Sequence, residues 1–382
     1  RGLGDVYKRQ VYIILALTFG YTLIMAETSL GRMTRKSPVG AFESFGNSRF
    51  ISIGGWINAI IPILIVPYYS VIGGWVIKYL IEYFAGHSKT LAGDAYFTTF
   101  ISNGWSTEIC FIIFTLFTLG IIYAGVRNGI ERVSKFMMPI LIVLSLIIAV
   151  YSVTRPGAIE GVKYFLVPNF DHFSWMTVVS AMGQMFYSLS IAMGILITFG
   201  SYMKKDTSIE KSTENVEIFD TAIAIMAGLM IIPAVFAFSG GNAETLKSGP
   251  ALMFITIPKV FANMGFGTAI GVVFFLLVLF AAVTSSIALT ESAVSTFEDE
   301  LHWSRKKSTV FMGMVMLLLG TLSCLGYGPL ANFKILGMQF LDFFDFITNS
   351  VMMPIAAMLT SLFVSRIVGM KPVSYTHLRA HE

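Results

Sequence analysis

Gly183–Gly194, GQMFYSLSIAMG, decides how this 382-residue chain is read. It puts small and polar residues at the centre of an apolar run, Trp175–Thr198, that is otherwise long enough to cross a bilayer. A helix that merely spans would be Leu, Ile and Phe throughout. Here Gln184, Ser188, Ser190 and Gly194 fall in the middle. Non-helical backbone survives at that depth only where it lines a cavity, because each unmet N–H or C=O costs several kcal/mol in hydrocarbon. A helix broken at the midplane exposes two half-helix ends, whose partial charges suit small ions and charged substrate groups. That is how a secondary transporter builds a binding site. On these residues alone, a kinked packing helix with small-residue contacts remains the alternative.

Composition sets the class. Hydrophobic residues make up 55% and charged residues 13%, and mean hydropathy is +0.75, values foreign to a soluble domain of this length. The two cysteines, Cys110 and Cys324, cannot form a disulfide framework and have no metal-ligand spacing. No cleavable signal peptide is visible. The expected partners are a substrate and the lipid bilayer, with no nucleic acid. The residues do not fix an oligomeric state.

Both ends read as foreign. Arg1–Gln10, RGLGDVYKRQ, can be encoded as CGT GGG CTC GGA GAT GTG TAT AAG AGA CAG. The reverse complement of that string, in another frame, gives VSYTHLRAH, which is Val373–His381. One DNA element in opposite orientations resembles the adapter of a transposase-based sequencing library. The expected division is therefore adapter at 1–10, transporter core at 11–372 and adapter at 373–382, with the core an internal piece of a longer protein.

Nine apolar stretches are long enough for a ~30 Å hydrocarbon core, which needs ~20 helical residues. They are Val11–Leu30, Trp56–Phe84, Ile109–Val126, Phe136–Val153, Trp175–Tyr202, Ile218–Phe238, Ala269–Thr296, Val310–Tyr327 and Phe343–Val364. Gly240–Gly265 is too polar to span, and its Ala251–Phe261 piece reads as a short helical cap. Fifteen Lys and Arg fall on one set of loops and seven on the other, so the first set is cytoplasmic and the cap lies outside.

Eight stretches carry a family resemblance: MAETSLGR (Met25–Arg32), PYYSVIGGW (Pro67–Trp75), GIERVSKFMMP (Gly129–Pro139), RPGAIEGVKYFLVPNF (Arg155–Phe170), GQMFYSLS with SYMKKD (Ser201–Asp206), IIPAVFAF (Ile231–Phe238), TSSIALTE (Thr284–Glu291) and FEDELHWSRK (Phe297–Lys306). In this order and on these spans, the chain resembles the neurotransmitter:sodium symporter family in its bacterial amino-acid branch. The resemblance runs from the family's second span to its tenth. It implies an all-α integral membrane protein with an inverted-repeat transporter fold and discontinuous helices, located in the cytoplasmic membrane of a bacterium. The implied activity is sodium-coupled symport of a neutral, hydrophobic amino acid. A piece lacking the family's first span is expected to be inactive alone.

Ala281, Thr284 and Ser285 sit at i, i+3 and i+4, on one helix face. A carbonyl and two hydroxyls are hard oxygen donors without net charge, suited to a monovalent ion that must be released, although helix–helix hydrogen bonding would use the same residues. The resemblance makes them the second sodium site. It assigns Ser188 and Asp220 to the first, where many relatives carry a neutral amide, so the acid here implies that chloride is not required. Tyr12, Gln184 and Ser188 keep part of the family's chloride pocket. An Asp at the start of an apolar run can equally be a helix cap.

By the same resemblance Tyr69 holds the substrate carboxylate and Tyr187 is the aromatic lid. Ile65, Ser188, Ser190, Met193, Ser286 and Leu289 line the substrate pocket, and the unbranched Met193 leaves room for large side chains. Asp345 and Asp299 resemble the outer and inner gate acids, Tyr202 supports the inner gate, and Glu27 steadies the broken helix. Glu291 has no assigned role. A membrane enzyme lacks support: the five histidines lie in loops or tails and no HExxH or paired-aspartate motif occurs. A channel would need a repeated pore loop or charged ring. The nearest rival is a proton-coupled amino-acid permease of the same fold, against which the hydroxyl face at 281–285 favours sodium.

Overall fold

In the computed structural model, residues 6–46, 48–167, 175–204, 206–241 and 249–369 are described. Of the two flanking segments, residues 1–5 and 373–382 lie outside that set, and residues 6–10 are helical and run into the first span. Lys205, Lys247 and Lys371 also fall outside it. Apart from two short helices, Ser88–Leu91 and Tyr96–Ser102, the helices in chain order are α1 (Val11–Thr34), α2 (Pro38–Glu43), α3 (Arg49–Phe84), α4 (Gly104–Tyr123), α5 (Val126–Val153) and α6 (Ala158–Leu166). They continue as α7 (Trp175–Ser188), α8 (Ile195–Tyr202), α9 (Ile209–Ser239), α10 (Leu252–Ala262), α11 (Gly267–Leu301), α12 (Arg305–Leu325) and α13 (Phe340–Val368).

Eight of these are unbroken and apolar enough to cross a membrane. The ninth expected span, Trp175–Tyr202, is two half-helices, α7 and α8, separated where the sequence turns small and polar. Several spans outrun their apolar runs because polar caps extend them. Ser48 Oγ accepts from the Ile51 N–H at 3.4 Å, starting α3 at Arg49. Ser208 Oγ accepts from the Lys211 N–H at 3.3 Å, starting α9 at Ile209 rather than Ile218. A hydroxyl at the N-cap satisfies a donor that the helix itself leaves open.

The 36-residue α3 is the central mast. It packs against α11, α4, α12 and α2, while α1 lies along α8 and α9 along α5. Close approach is enforced by absent side chains. A Cβ at Gly31 of α1 would collide with the Ile197 carbonyl of α8, and one at Gly200 of α8 with the Thr28 carbonyl of α1. Small residues at such contacts suit a lipid environment, where helix association relies on packing.

The outer cap α10 is fixed by aromatic stacking. Phe254 lies parallel to Phe97 at 5.2 Å and edge-on to Trp75 at 5.7 Å and Tyr79 at 5.0 Å. The Tyr79 hydroxyl donates to the Phe254 carbonyl at 2.7 Å, and Lys259 forms an ion pair with Asp94.

The α1–α8 contact yields a sign-reversed pair of expectations. Gly31→Val pushes backbone against backbone and should lower stability by about 1–3 kcal/mol or more, as overpacking does. Gly120→Ala, on α4 with open space around it, should hold or raise stability by a few tenths to about 1 kcal/mol. Thermal unfolding in detergent measures both, and equal shifts would refute the close-packing account.

Candidate functional site

Between α7 and α8 the chain leaves helical geometry. Ser190, Ala192 and Gly194 take φ of 56°, 60° and 68°, in the left-handed region. Glycine adopts this freely, whereas each of the other two costs about 1–3 kcal/mol, strain that persists only where the surroundings impose it. The imposing group is Glu27 of α1, fully buried, whose Oε1 accepts from the Ala192 N–H at 2.9 Å. Other loose ends at the break are also met. Leu189 N–H donates to the Met185 carbonyl at 3.0 Å and Ile191 N–H to the Phe186 carbonyl at 2.9 Å. Ser292 Oγ of α11 reaches the Met193 carbonyl at 3.5 Å.

At the end of α7, Ser188 Oγ donates to Asp220 Oδ1 at 2.9 Å, and the Tyr12 hydroxyl donates to Asp220 Oδ2 at 2.6 Å. Asp220 lies three turns into α9, so it cannot serve as that helix's N-cap. The cap reading fails because the helix starts earlier than its apolar run. Hydroxyls hold the carboxylate by hydrogen bonds without neutralising it.

On α11, Thr284 Oγ1 donates to the carbonyls of Phe280 (3.1 Å) and Ala281 (3.0 Å), which brings the hydroxyl and the Ala281 carbonyl side by side. Ser285, next along, is exposed and lies near the Tyr69 hydroxyl on α3. Tyr187 shares the electrostatic neighbourhood of Tyr68, Tyr69 and Asp345. Asp345 Oδ1 accepts from Asn349 Nδ2 at 2.5 Å, and that amide also donates to the Tyr68 hydroxyl at 3.3 Å. Ile65, Met193 and Leu289, three of the groups expected to form the substrate pocket, are 0%, 3% and 5% exposed, while Tyr69, Tyr187 and Ser188 are half-buried. Ser190 is half-buried at the break. The Ser286 hydroxyl pairs with Thr118 Oγ1 of α4 at 3.2 Å.

The cytoplasmic end carries its own network. Asp299 accepts from the Ser37 backbone N–H ahead of α2. The Tyr202 hydroxyl donates at 2.7 Å not to Asp299 but to Glu291, which is fully buried. Glu291 also holds Arg305 through two bonds, Nη1 to Oε1 at 3.0 Å and Nη2 to Oε2 at 2.5 Å. Arg305 reaches Glu298 at 3.5 Å and donates from Nε to the Ile122 carbonyl at 3.0 Å. Sequence reasoning placed Arg305 among the loop charges and gave Glu291 no role. The available signal was an acid deep in an apolar span followed fourteen residues later by an arginine opening the next helix.

Comparison with known proteins identifies the family. The family model described as Sodium:neurotransmitter symporter family matches residues 99–378. An uncharacterized sodium-dependent transporter of Bacillus subtilis (strain 168), YhdH, is 33% identical over 93% of this chain and 78% of its own length. An uncharacterized sodium-dependent transporter of Haemophilus influenzae is 29% identical, covering 93% of this chain and 80% of its own. The crystal structure of MhsT in complex with L-phenylalanine superposes with a TM-score of 0.84 at 32% identity, covering 99% of this chain and 89% of that one. The fold is that of an inverted-repeat transporter with a discontinuous helix, and the multi-pass chain is a membrane protein. With a family model over most of its length and a relative one-third identical, the chain belongs to the sodium:neurotransmitter symporter family.

Proposed function

We propose that the protein couples inward sodium movement to uptake of a neutral, hydrophobic amino acid, aromatic ones included, by alternating access, and needs no chloride. The observation that carries this reading is Asp220, whose carboxylate meets Ser188 at the helix break and Tyr12 from the opposite oxygen. A carboxylate held by neutral hydroxyls keeps its charge for a cation, and an acid in a membrane span is a functional candidate by default. Ser188 and Asp220 are the first sodium site. Ala281, Thr284 and Ser285 are the second. Tyr69, Tyr187, Ser188, Ser190, Met193, Ile65, Ser286 and Leu289 receive the amino acid, and the phenylalanine bound to MhsT supports an apolar pocket of generous size. Asp345 gates the outer side and Asp299 the inner, with Tyr202 acting through Glu291.

The driving force is adequate. One charge crossing 100 mV releases about 2.3 kcal/mol, and a tenfold gradient adds about 1.4. Two sodium ions then supply roughly 7 kcal/mol, enough to concentrate a neutral solute by about five orders of magnitude.

Three outcomes are expected of the intact gene product. Thr284→Ala with Ser285→Ala should raise the sodium concentration for half-maximal amino-acid binding by about tenfold or more, a loss of ~1.4 kcal/mol. An unchanged sodium curve would remove the second site. Asp220→Asn should make uptake depend on chloride, because the site loses its built-in counter-charge; identical uptake in chloride and gluconate media would dismiss Asp220 from ion binding. Arg305→Ala strands the buried Glu291 carboxylate, a change worth about 3–5 kcal/mol. Its melting temperature should drop sharply, while Glu291→Gln combined with Arg305→Gln should recover much of the loss.

A further inference from the structure

The cytoplasmic start of α12 holds a groove that the transport machinery does not use. A cavity of about 520 Å³ opens there between α12 and the end of α4, lined by Tyr123, Trp303, Lys306, Lys307, Val310 and Met314. A second, of about 430 Å³, continues along the same helix from Met314 past Leu318 to Leu322. The two share Met314, so one apolar channel runs up the membrane-facing side of α12. Val310, Met314 and Leu318 recur every four residues and are 58%, 57% and 67% exposed.

The mouth of the channel is positively charged. Lys307 Nζ sits 4.0 Å above the Trp303 ring and Lys306 Nζ 5.7 Å from the Tyr123 ring. Their neighbour Arg305 is neutralised by Glu291 and Glu298. Among the described residues, no carboxylate is paired with Lys306 or Lys307. Two unneutralised ammonium groups and two aromatic rings at the headgroup level, above an apolar channel, are chemically complementary to an acidic headgroup carrying an acyl tail. The length fits one leaflet. Half of a ~30 Å core is about 15 Å, or about ten residues of helix at ~1.5 Å each, which from Lys307 reaches Leu317, inside the second cavity.

We propose that this groove is a binding site for an anionic phospholipid of the cytoplasmic leaflet, with its phosphate between Lys306 and Lys307 and one acyl chain lying along Val310, Met314 and Leu318.

The test uses tryptophan quenching on the protein reconstituted in phosphatidylcholine vesicles. Brominated phosphatidylglycerol or brominated phosphatidylcholine is introduced in increasing fraction, and Trp303→Phe isolates the Trp303 signal. Trp303 should be half-quenched at about a tenfold lower fraction of the anionic lipid. Lys306→Gln with Lys307→Gln should reduce that preference to within about twofold. Val310→Phe with Met314→Phe keeps both charges and fills the channel, and should weaken quenching by the anionic lipid as well. Lys211→Gln, a cytoplasmic control, should leave the preference intact. Equal quenching by both lipids overturns the proposal, as does a preference untouched by either groove variant. Equal loss in Lys211→Gln would mean general surface attraction. Displacement by inorganic phosphate would mean a phosphate site, and loss of quenching as protein density rises would give the groove to a second copy. Each of these also overturns it.

Discussion

A helix that stops inside a membrane must find partners for the backbone it exposes, and the bond from Ala192 N–H to Glu27 is where this molecule meets that demand. Without it a buried donor would go unmet on Ala192, itself held with Ser190 in left-handed geometry. The close approach of α1 to α8, possible because Gly31 and Gly200 have no side chains, delivers Glu27 to the break. Packing, strain and the site are thus one arrangement. The broken helix is open enough to expose polar backbone and fixed enough to keep Ser188 aimed at Asp220.

Three acids within the spans show how partners decide role. Glu27 accepts from the backbone and holds shape. Glu291 is clamped by a guanidinium, so its charge is already balanced. Asp220 accepts only from hydroxyls among the described contacts, so its negative charge is left over. Of the three, that leftover charge is the one suited to a mobile cation. The distinction is read from their neighbours.

Much of this was legible in the sequence. The spans, the cap and the break follow from hydropathy and from small polar residues at mid-run, and the structure differs mainly where Ser48 and Ser208 start helices before the apolar residues begin. The spacing of Ala281, Thr284 and Ser285 likewise shows in the sequence, since neighbours on one helix face are fixed by the period. Links between distant segments were not legible from hydropathy and spacing; only the family resemblance put Tyr12 and Asp220 each beside Ser188. Nothing in the chain order joins Tyr202 to Glu291 and Arg305, or Tyr12 to Asp220 across more than two hundred residues. Such pairs depend on which helices become neighbours, and hydropathy does not encode that.

The two ends of the molecule are latched by different forces. Outside, α10 rests on Phe254 packed among Phe97, Trp75 and Tyr79, an apolar contact joined by an exposed ion pair from Lys259 to Asp94. Inside, the latch is a buried ion pair with a tyrosine on it. Apolar contacts weaken on cooling, whereas a partly buried pair is little affected by salt. Cooling therefore weakens the outer contact among its four aromatic rings, while added salt leaves the inner pair largely in place.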